Sequence, residues 1–386
     1  MKILHYLDNF DFNRGGVVQY VFQVTSALAA NGVDVTLVVG RNKDLPKEWL
    51  SNDTPNLPRV HVLSSTPGIQ SWLSNSQLRE IWEVVKSHDV VHLHGVWTLG
   101  NARLGYRLSK KNIPYIVSAH GMLDDWSLTQ NAFQKAMFNR LINRRFLSRA
   151  AMVHCTAEFE MQQIERNFNG FKNMTCVVPF VIPSDSASID KEMVYQAFPE
   201  IDKDKKKLLF LSRLHKKKGP EYLLDAAAEL KRKGLIVQVL MTGPGEENYI
   251  NALKRQADEL GVAEQVLWLG MVRDPLKTAL YPESDIFVLP SHQENFGIVL
   301  VEAMFAGLPI ITTCGTDIYL ELERGGAVIC ERSGVRIAEA AQRLLSDPED
   351  LETRSKQGVA FVNDWLDETK TVENYLAMYR NATLQD

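Results

Sequence analysis

Short apolar runs alternate with stretches of helical periodicity almost from one end of the chain to the other. In the first half the runs predict strands at 3–7, 34–39, 60–63, 89–93, 115–118, 152–155 and 175–178. Between them 17–30, 77–85 and 133–148 repeat their apolar residues at helical spacing. Strands that alternate with helices form a parallel sheet covered on both faces. A break follows over 181–206, with Pro183, Pro199 and the charge run 202–207, and reads as a linker with a short helix. Alternation then restarts, with strands at 208–212, 237–241, 266–269, 285–289, 310–312 and 327–330 and helices at 220–233, 246–260 and 298–306. A helical tail from about 361 to 380 carries Trp365, Tyr375 and Tyr379. The pattern predicts an α/β protein of two Rossmann-like, doubly wound domains, 1–180 and 207–365, with a C-terminal helix over about 366–386 returning to the first.

Length and composition agree with this division. The 386 residues suit two domains of about 150–200 each. Lys plus Arg is 43 against 47 Asp plus Glu, a net charge of −4, which gives no ground for general nucleic-acid binding. No apolar run approaches the ~20 residues of a membrane span. The apolar segment 3–7 contains His5 and is followed at once by Asp8, unlike a signal peptide. Cys155, Cys176, Cys314 and Cys330 form no CxxC pair, so reduced thiols in a cytoplasmic protein are expected.

Ligands of open parallel sheets bind beyond the carboxyl ends of the strands, so two such domains would frame a cleft with their strand-end loops. The most informative loop is Pro290-Ser-His-Gln-Glu-Asn-Phe-Gly, between a strand and a helix that starts near Gly297. Free N–H groups at that start favour an anion. Glu294 and Glu302 can both face a ligand lying over it, and a carboxylate can accept two hydrogen bonds from a vicinal diol. Arg213 follows another strand, and Lys218-Gly219 leads into a helix opening at Pro220; the two cations could converge on one pyrophosphate. His215, Lys216 and Lys217 read as a solvated basic loop. Gly243 and Gly245 permit close backbone approach, and Gly15 and Gly16 open a helix after the first strand.

These motifs resemble the retaining glycosyltransferases of family 4, of GT-B fold, over essentially the whole chain, and the overall look is of bacterial exopolysaccharide enzymes. The spacing from Glu294 to Glu302 is the most specific element. The resemblance implies that Glu294 lies against the donor sugar and Glu302 on the nucleotide ribose. Backbone amides of Gly297, Ile298 and Val299 would hold the diphosphate, with Asn295 and Phe296 in the same donor loop. Arg213 and Lys218 would bind the diphosphate too. Val272, in the loop after 269, would lie by the nucleobase, and Gly243 beside the donor. Gly16, with Gly15, would lie between donor phosphate and acceptor. His120, just beyond the strand at 115–118, matches the active-site histidine that contacts the transferred sugar. Asp124 falls in an acceptor-side loop, with Asp125 and Trp126 after it, and Glu158 is a further residue near the cleft.

The expected catalytic set is therefore Glu294, His120, Arg213 and Lys218. His92 and His94 alternate on one strand; one is expected to be packed and His94, at the strand end, to line the acceptor side. No Asp, Glu or Cys set completes a metal site with them, and Asp202-Lys-Asp204 lies in the linker, so no metal cofactor is expected. The co-substrate would be a nucleoside-diphosphate sugar, UDP-glucose before a GDP-sugar. The acceptor would be a saccharide, free or lipid-linked. The helix 131–149 joins an apolar set to Lys135, Arg140, Arg144, Arg145 and Arg149. Packing on its own sheet is the preferred reading, and contact with anionic lipid of the inner membrane the other. The rival functions are a sugar-nucleotide epimerase or hydrolase on the same fold and a non-catalytic nucleotide-sugar sensor.

Overall fold

The computed structural model describes residues 1–51, 54–168, 174–182 and 191–384. The chain divides into two compact units, Met1–Pro183 with Leu366–Asp386, and Ser184–Trp365. The first holds a parallel sheet of β1 (Lys2–Phe10), β2 (Asp34–Asn42), β3 (Arg59–Val62), β4 (Val90–His94), β5 (Tyr115–Ser118), β6 (Met152–Cys155) and β7 (Thr175–Val177). Its strand order is β3-β2-β1-β4-β5-β6-β7, so the winding reverses between β1 and β4. The second holds β8 (Lys207–Leu211), β9 (Gln238–Thr242), β10 (Val266–Gly270), β11 (Ile286–Leu289), β12 (Ile310–Thr312) and β13 (Val328–Ile329). Its order is β10-β9-β8-β11-β12-β13, reversing between β8 and β11. Each apolar run of the sequence became a strand, because parallel strands covered on both faces must be apolar throughout. Ile3, Leu4, Tyr6, Val90, Val91, Leu93, Leu208, Leu209 and Phe210 are fully buried.

Capping sets where several helices begin. Ser74 and Gln77 form a reciprocal capping box at Asn75–Val85, and Thr98 caps Leu99–Ser109. The expected linker 181–206 is shorter than the sequence suggests; residues 183–190 lie outside the described part. From Lys191 the chain is already docked on the second unit. Tyr195 hydrogen-bonds to Glu283, and the Asp202 N–H donates to Gln238 Oε1 at 2.9 Å.

The helical tail also differs from its expectation as one element. Helix Pro348–Trp365 ends in the second unit, and Asp367 caps a new helix, Glu368–Thr383, by accepting from the Lys370 N–H. The new helix buries Val372, Tyr375, Met378 and Tyr379 in the first unit.

Candidate active site

In the second unit the winding reversal places the ends of β8 and β11 side by side, and these ends carry the two motifs. Arg213 follows β8 and is exposed. Lys218 closes a 3-10 turn, Lys216–Lys218, and is buried. Gly219 then takes a left-handed φ of 67°, and Pro220 opens helix Pro220–Arg232 with its ring at the first helical position. The two loops are stitched together: the His292 N–H donates to the Lys217 carbonyl at 2.8 Å. A Cβ on Gly219 would stand 2.4 Å from the Pro290 carbonyl oxygen.

The Lys218 ammonium donates to the Glu294 carboxylate. Burial, and then the neighbouring charges of Lys217 and Arg213, bring the Lys218 pKa down to about 7. The Glu294 backbone is strapped to the loop after β12. Its N–H donates to Gly315 O, and its carbonyl accepts from the Asp317 N–H, each at 2.8 Å. Gly297 caps helix Ile298–Phe305 with φ 68°; a Cβ there would press on Leu300 Cδ1 at 2.8 Å and Glu294 Cγ at 3.0 Å. Glycine is thus required both for the turn and for the seat of Glu294.

Glu302 lies in that helix and is held on both oxygens. Lys277 Nζ donates to Oε1 at 2.8 Å and the Tyr281 hydroxyl to Oε2 at 2.7 Å. Burial and then the Glu302 charge push the Tyr281 pKa well up, so it stays a donor. A carboxylate offers about four lone-pair sites, and two remain for a diol. Lys277 and Tyr281 were not foreseen; their i, i+4 spacing beside helix Leu276–Leu280 is the signal that could have found them. Phe296 is core, 2% exposed and stacked on Trp365 at 5.6 Å, so it can offer a ligand only its backbone. Asn295 Nδ2 reaches Asp317 Oδ2 at 3.3 Å. Gly243 serves the sheet: a Cβ there would fall 1.9 Å from Ser212 O. Val272 is half-buried in the turn after β10.

In the first unit Gly15 has φ 92° and caps helix Gly16–Ala30, with open space where a Cβ of either glycine would lie. His120 and Gly121, beyond β5, both take left-handed backbone, with φ 54° and 67°. The Gly121 N–H donates to Glu160 Oε1 at 2.6 Å, and the Thr156 N–H to its Oε2 at 2.7 Å. Glu160, not the exposed Glu158, is therefore the acid that shapes this loop. Asp124, expected on the acceptor side, is 1% exposed and caps helix Asp125–Thr129 through Ser127. His92 and His94 are both packed. The fold adds His5 on β1 to them, and ring nitrogens of the three lie within 4.8 Å of one another. Each of those six nitrogens has a hydrogen-bond partner.

The comparisons with known proteins follow this division of the chain. Residues 15–180 match the "Glycosyl transferase 4-like domain" model and 194–360 the "Glycosyl transferases group 1" model. The chain belongs to the family 4 glycosyltransferases. It is 23% identical to a D-inositol 3-phosphate glycosyltransferase of Segniliparus rotundus, over 95% of this chain and 85% of that one. It is 28% identical to a phosphatidyl-myo-inositol mannosyltransferase of Mycobacterium leprae, over 81% and 78%. The crystal structure of Anabaena Alr3699/HepE in complex with UDP and glucose superposes with TM-score 0.77 at 18% identity, covering 98% of this chain and 99% of that one. The two sheets are thus the Rossmann-like pair of the GT-B fold, and the glycosyltransferase transfers a sugar.

Two further features of the transferase escaped the sequence. Ser291 Oγ and both polar side-chain atoms of Gln293, next to Glu294, are buried with no hydrogen bond among the described residues. In the helical segment Ala132–Phe138 to Arg144–Leu147 the preferred reading was wrong about which residues pack. Phe146 and Leu147 are buried, but Phe133, Met137 and Leu141 are 81%, 53% and 62% exposed. The π-helical turn Asn139–Asn143 between the two helical stretches shifts the register of the apolar face. No described helix is long and apolar enough to cross a membrane.

Proposed function

We propose that this glycosyltransferase moves a hexose, glucose from UDP-glucose first, onto a hydroxyl of a lipid-linked saccharide, with retention at the anomeric carbon and without a divalent metal. The observation that carries the reading is the set around the helix start at Gly297. Lys218 and Glu294 meet there, and Glu302 is held by Lys277 and Tyr281 with lone pairs to spare. The helix N-terminus and the cations Arg213 and Lys218 supply positive charge for a departing diphosphate. Glu294 lies against the sugar, and Glu302 takes the ribose diol. The acceptor hydroxyl attacks from the face the diphosphate leaves, and the leaving oxygen takes its proton. UDP is favoured because the Anabaena protein of the same fold holds UDP and glucose.

The acceptor side supports a membrane. Phe133, Met137 and Leu141 recur every four residues and face solvent, beside the exposed Arg140, Arg144 and Arg145. A cavity of about 510 Å³ lined by Leu128, Asn139, Arg140, Arg144 and Asn167 adjoins them. Apolar anchors beside arginines suit the cytoplasmic face of an anionic membrane. A second reading, mannose moved to an inositol-bearing acceptor, rests on the names of the Segniliparus and Mycobacterium relatives.

A thermal-shift screen of UDP-, GDP- and ADP-sugars separates the donors, because a ligand of the folded state raises its melting temperature. Transfer from the winning donor, with and without EDTA, and the anomeric configuration of the product then test the rest. GDP-mannose as the stabilising donor favours the second reading. Donor turnover without acceptor, or tight binding with no transfer to any acceptor, overturns both.

A further inference from the structure

Five histidines of the first unit, His5, His92, His94, His120 and His154, lie on one chain of hydrogen bonds whose direction is fixed at one end. His154 Nε2 stands 2.9 Å from the Val178 carbonyl oxygen. A carbonyl only accepts, so that nitrogen carries the proton and Nδ1 of the neutral ring accepts. The Ser118 hydroxyl, 2.7 Å away, donates to it, whereas the Tyr20 hydroxyl, which also meets Ser118, stands 3.5 Å off. Ser118 in turn accepts from His92 Nε2 at 2.7 Å, which leaves His92 Nδ1 to accept from the Tyr379 hydroxyl at 2.9 Å. Tyr379 accepts from His5 Nε2 at 3.1 Å, and His5 Nδ1 accepts from His94 Nε2 at 3.0 Å. His94 Nδ1 then accepts from His120 Nε2 at 3.1 Å.

The surroundings keep these rings neutral. Burial is the main cause in every case. It lowers His5 and His120 to about 3 and His154 to about 4, and takes His92 and His94 well below the usual histidine value. His5, His92, His94 and His154 are buried, whereas His120 at the open end is only half-buried. Reversing the whole chain would turn a bare His154 nitrogen toward the Val178 oxygen, so one direction wins.

We propose that Val178, His154, Ser118, His92, Tyr379, His5 and His94 are positioning residues for the transferase, which hold His120 as its Nε2–H tautomer and leave Nδ1 as an acceptor for a hydroxyl of the transferred sugar. The proposal rests on the transferase reading of His120. Its new element is that a tyrosine of the C-terminal helix, Tyr379, carries the direction from His92 to His5. Cutting the relay at Tyr379 has a directional consequence. His92 and His154 stay tied to Val178, but His5, His94 and His120 can reverse together without losing a bond.

The test is the ring-nitrogen NMR spectrum of [15N]histidine-labelled full-length protein, with His120 assigned by the signals lost in His120→Gln. The wild type should show His120 protonated at Nε2 alone. In Tyr379→Phe, which keeps the ring, His120, His94 and His5 should become tautomer mixtures while His92 and His154 do not. Ser118→Ala cuts the chain one link earlier and should release His92 as well. A single Nε2–H form of His120 in both variants, or Nδ1–H in the wild type, overturns the relay. These spectra need neither donor nor acceptor, so a failed relay is distinguishable from a failed transferase reading. Where transfer is measurable, Tyr379→Phe should lower kcat in proportion to the remaining Nε2–H fraction of His120, about twofold for an even mixture, with the donor KM unchanged. An unchanged kcat alongside mixed tautomers would overturn the catalytic half of the proposal.

Discussion

Lys218 and Glu294, 76 positions apart in the chain, meet side chain to side chain between the loops that follow two neighbouring strands. The ammonium is buried and the carboxylate partly so, with side-chain exposures of 9% and 20%. Removing one partner of such a pair leaves the other desolvated and uncompensated. The pair sets a cation and an acid side by side at the start of helix Ile298–Phe305.

Lys218→Ala should therefore lower transfer by roughly 10²–10³-fold, as does loss of one preorganised electrostatic donor. Arg213→Ala, at an exposed site, should lose at most as much, and Lys216→Ala little. Transfer assays across these variants read the order; full activity in Lys218→Ala would count against the assignment.

Glu302 is bound from two sides by Lys277 and Tyr281, which fixes the direction of its remaining lone pairs. Glu302→Ala should weaken binding of the free nucleoside diphosphate by about 1.5–3 kcal/mol, the range for a hydrogen bond to a charged group. Tyr281→Phe should weaken it less, since Lys277 still anchors the carboxylate. Titration calorimetry decides, and Glu294→Ala is the contrast: it should remove transfer with little loss of nucleotide affinity.

Much of this was legible in the residues, and the rest was lost for physical reasons. The described strands could be found because each carries a short apolar run bounded by polar turns. Glu294, Glu302, Arg213 and Lys218 stood out because strand-end loops are where an open parallel sheet places its ligands. The orienting shell did not stand out. Lys277, Tyr281 and Glu160 are ordinary helix residues until the fold sets them beside Glu302 and the Gly121 amide. Asp124 looked like a site acid because the residues that make a helix cap are those that bind ligands; only the Ser127 contact distinguishes them. The histidine cluster was half visible as His92-x-His94. Its other members come from β1, β6 and the loop after β5, and sequence spacing cannot show parallel neighbours.

The exposed stripe of Phe133, Met137 and Leu141 predicts partition onto membranes. Binding to vesicles with phosphatidylserine should exceed binding to neutral phosphatidylcholine vesicles and weaken with salt, because the basic residues add an electrostatic term. Changing all three apolar residues to Ser should reduce sedimentation with anionic vesicles severalfold and leave nucleotide binding intact. Equal sedimentation of the wild type with both vesicle types would remove the electrostatic half of this reading.

The buried histidines also set how the first unit responds to acid. His5, His92, His94, His120 and His154 are held neutral in the fold, with depressed pKa values, while the unfolded chain titrates near the ordinary 6.5. Between those values the unfolded state binds more protons than the folded one, so stability rises with pH and is lost as pH falls below about 6.5. Each fully uncompensated histidine contributes a slope of about 1.4 kcal/mol per pH unit. The four buried ones, His5, His92, His94 and His154, together approach about 5.5 kcal/mol per unit once pH lies well below 6.5, comparable to the whole stability of an ordinary domain. Ordinary carboxylates titrate mostly below pH 5. The melting temperature of the first unit's transition should accordingly be flat from pH 8 to 7 and fall steeply between 6.5 and 5. Scanning calorimetry across that range, with proton uptake on unfolding measured at pH 5.5, tests this. A transition whose midpoint is unmoved from pH 7 to 5 would mean that the histidines are not buried neutral as the packing requires.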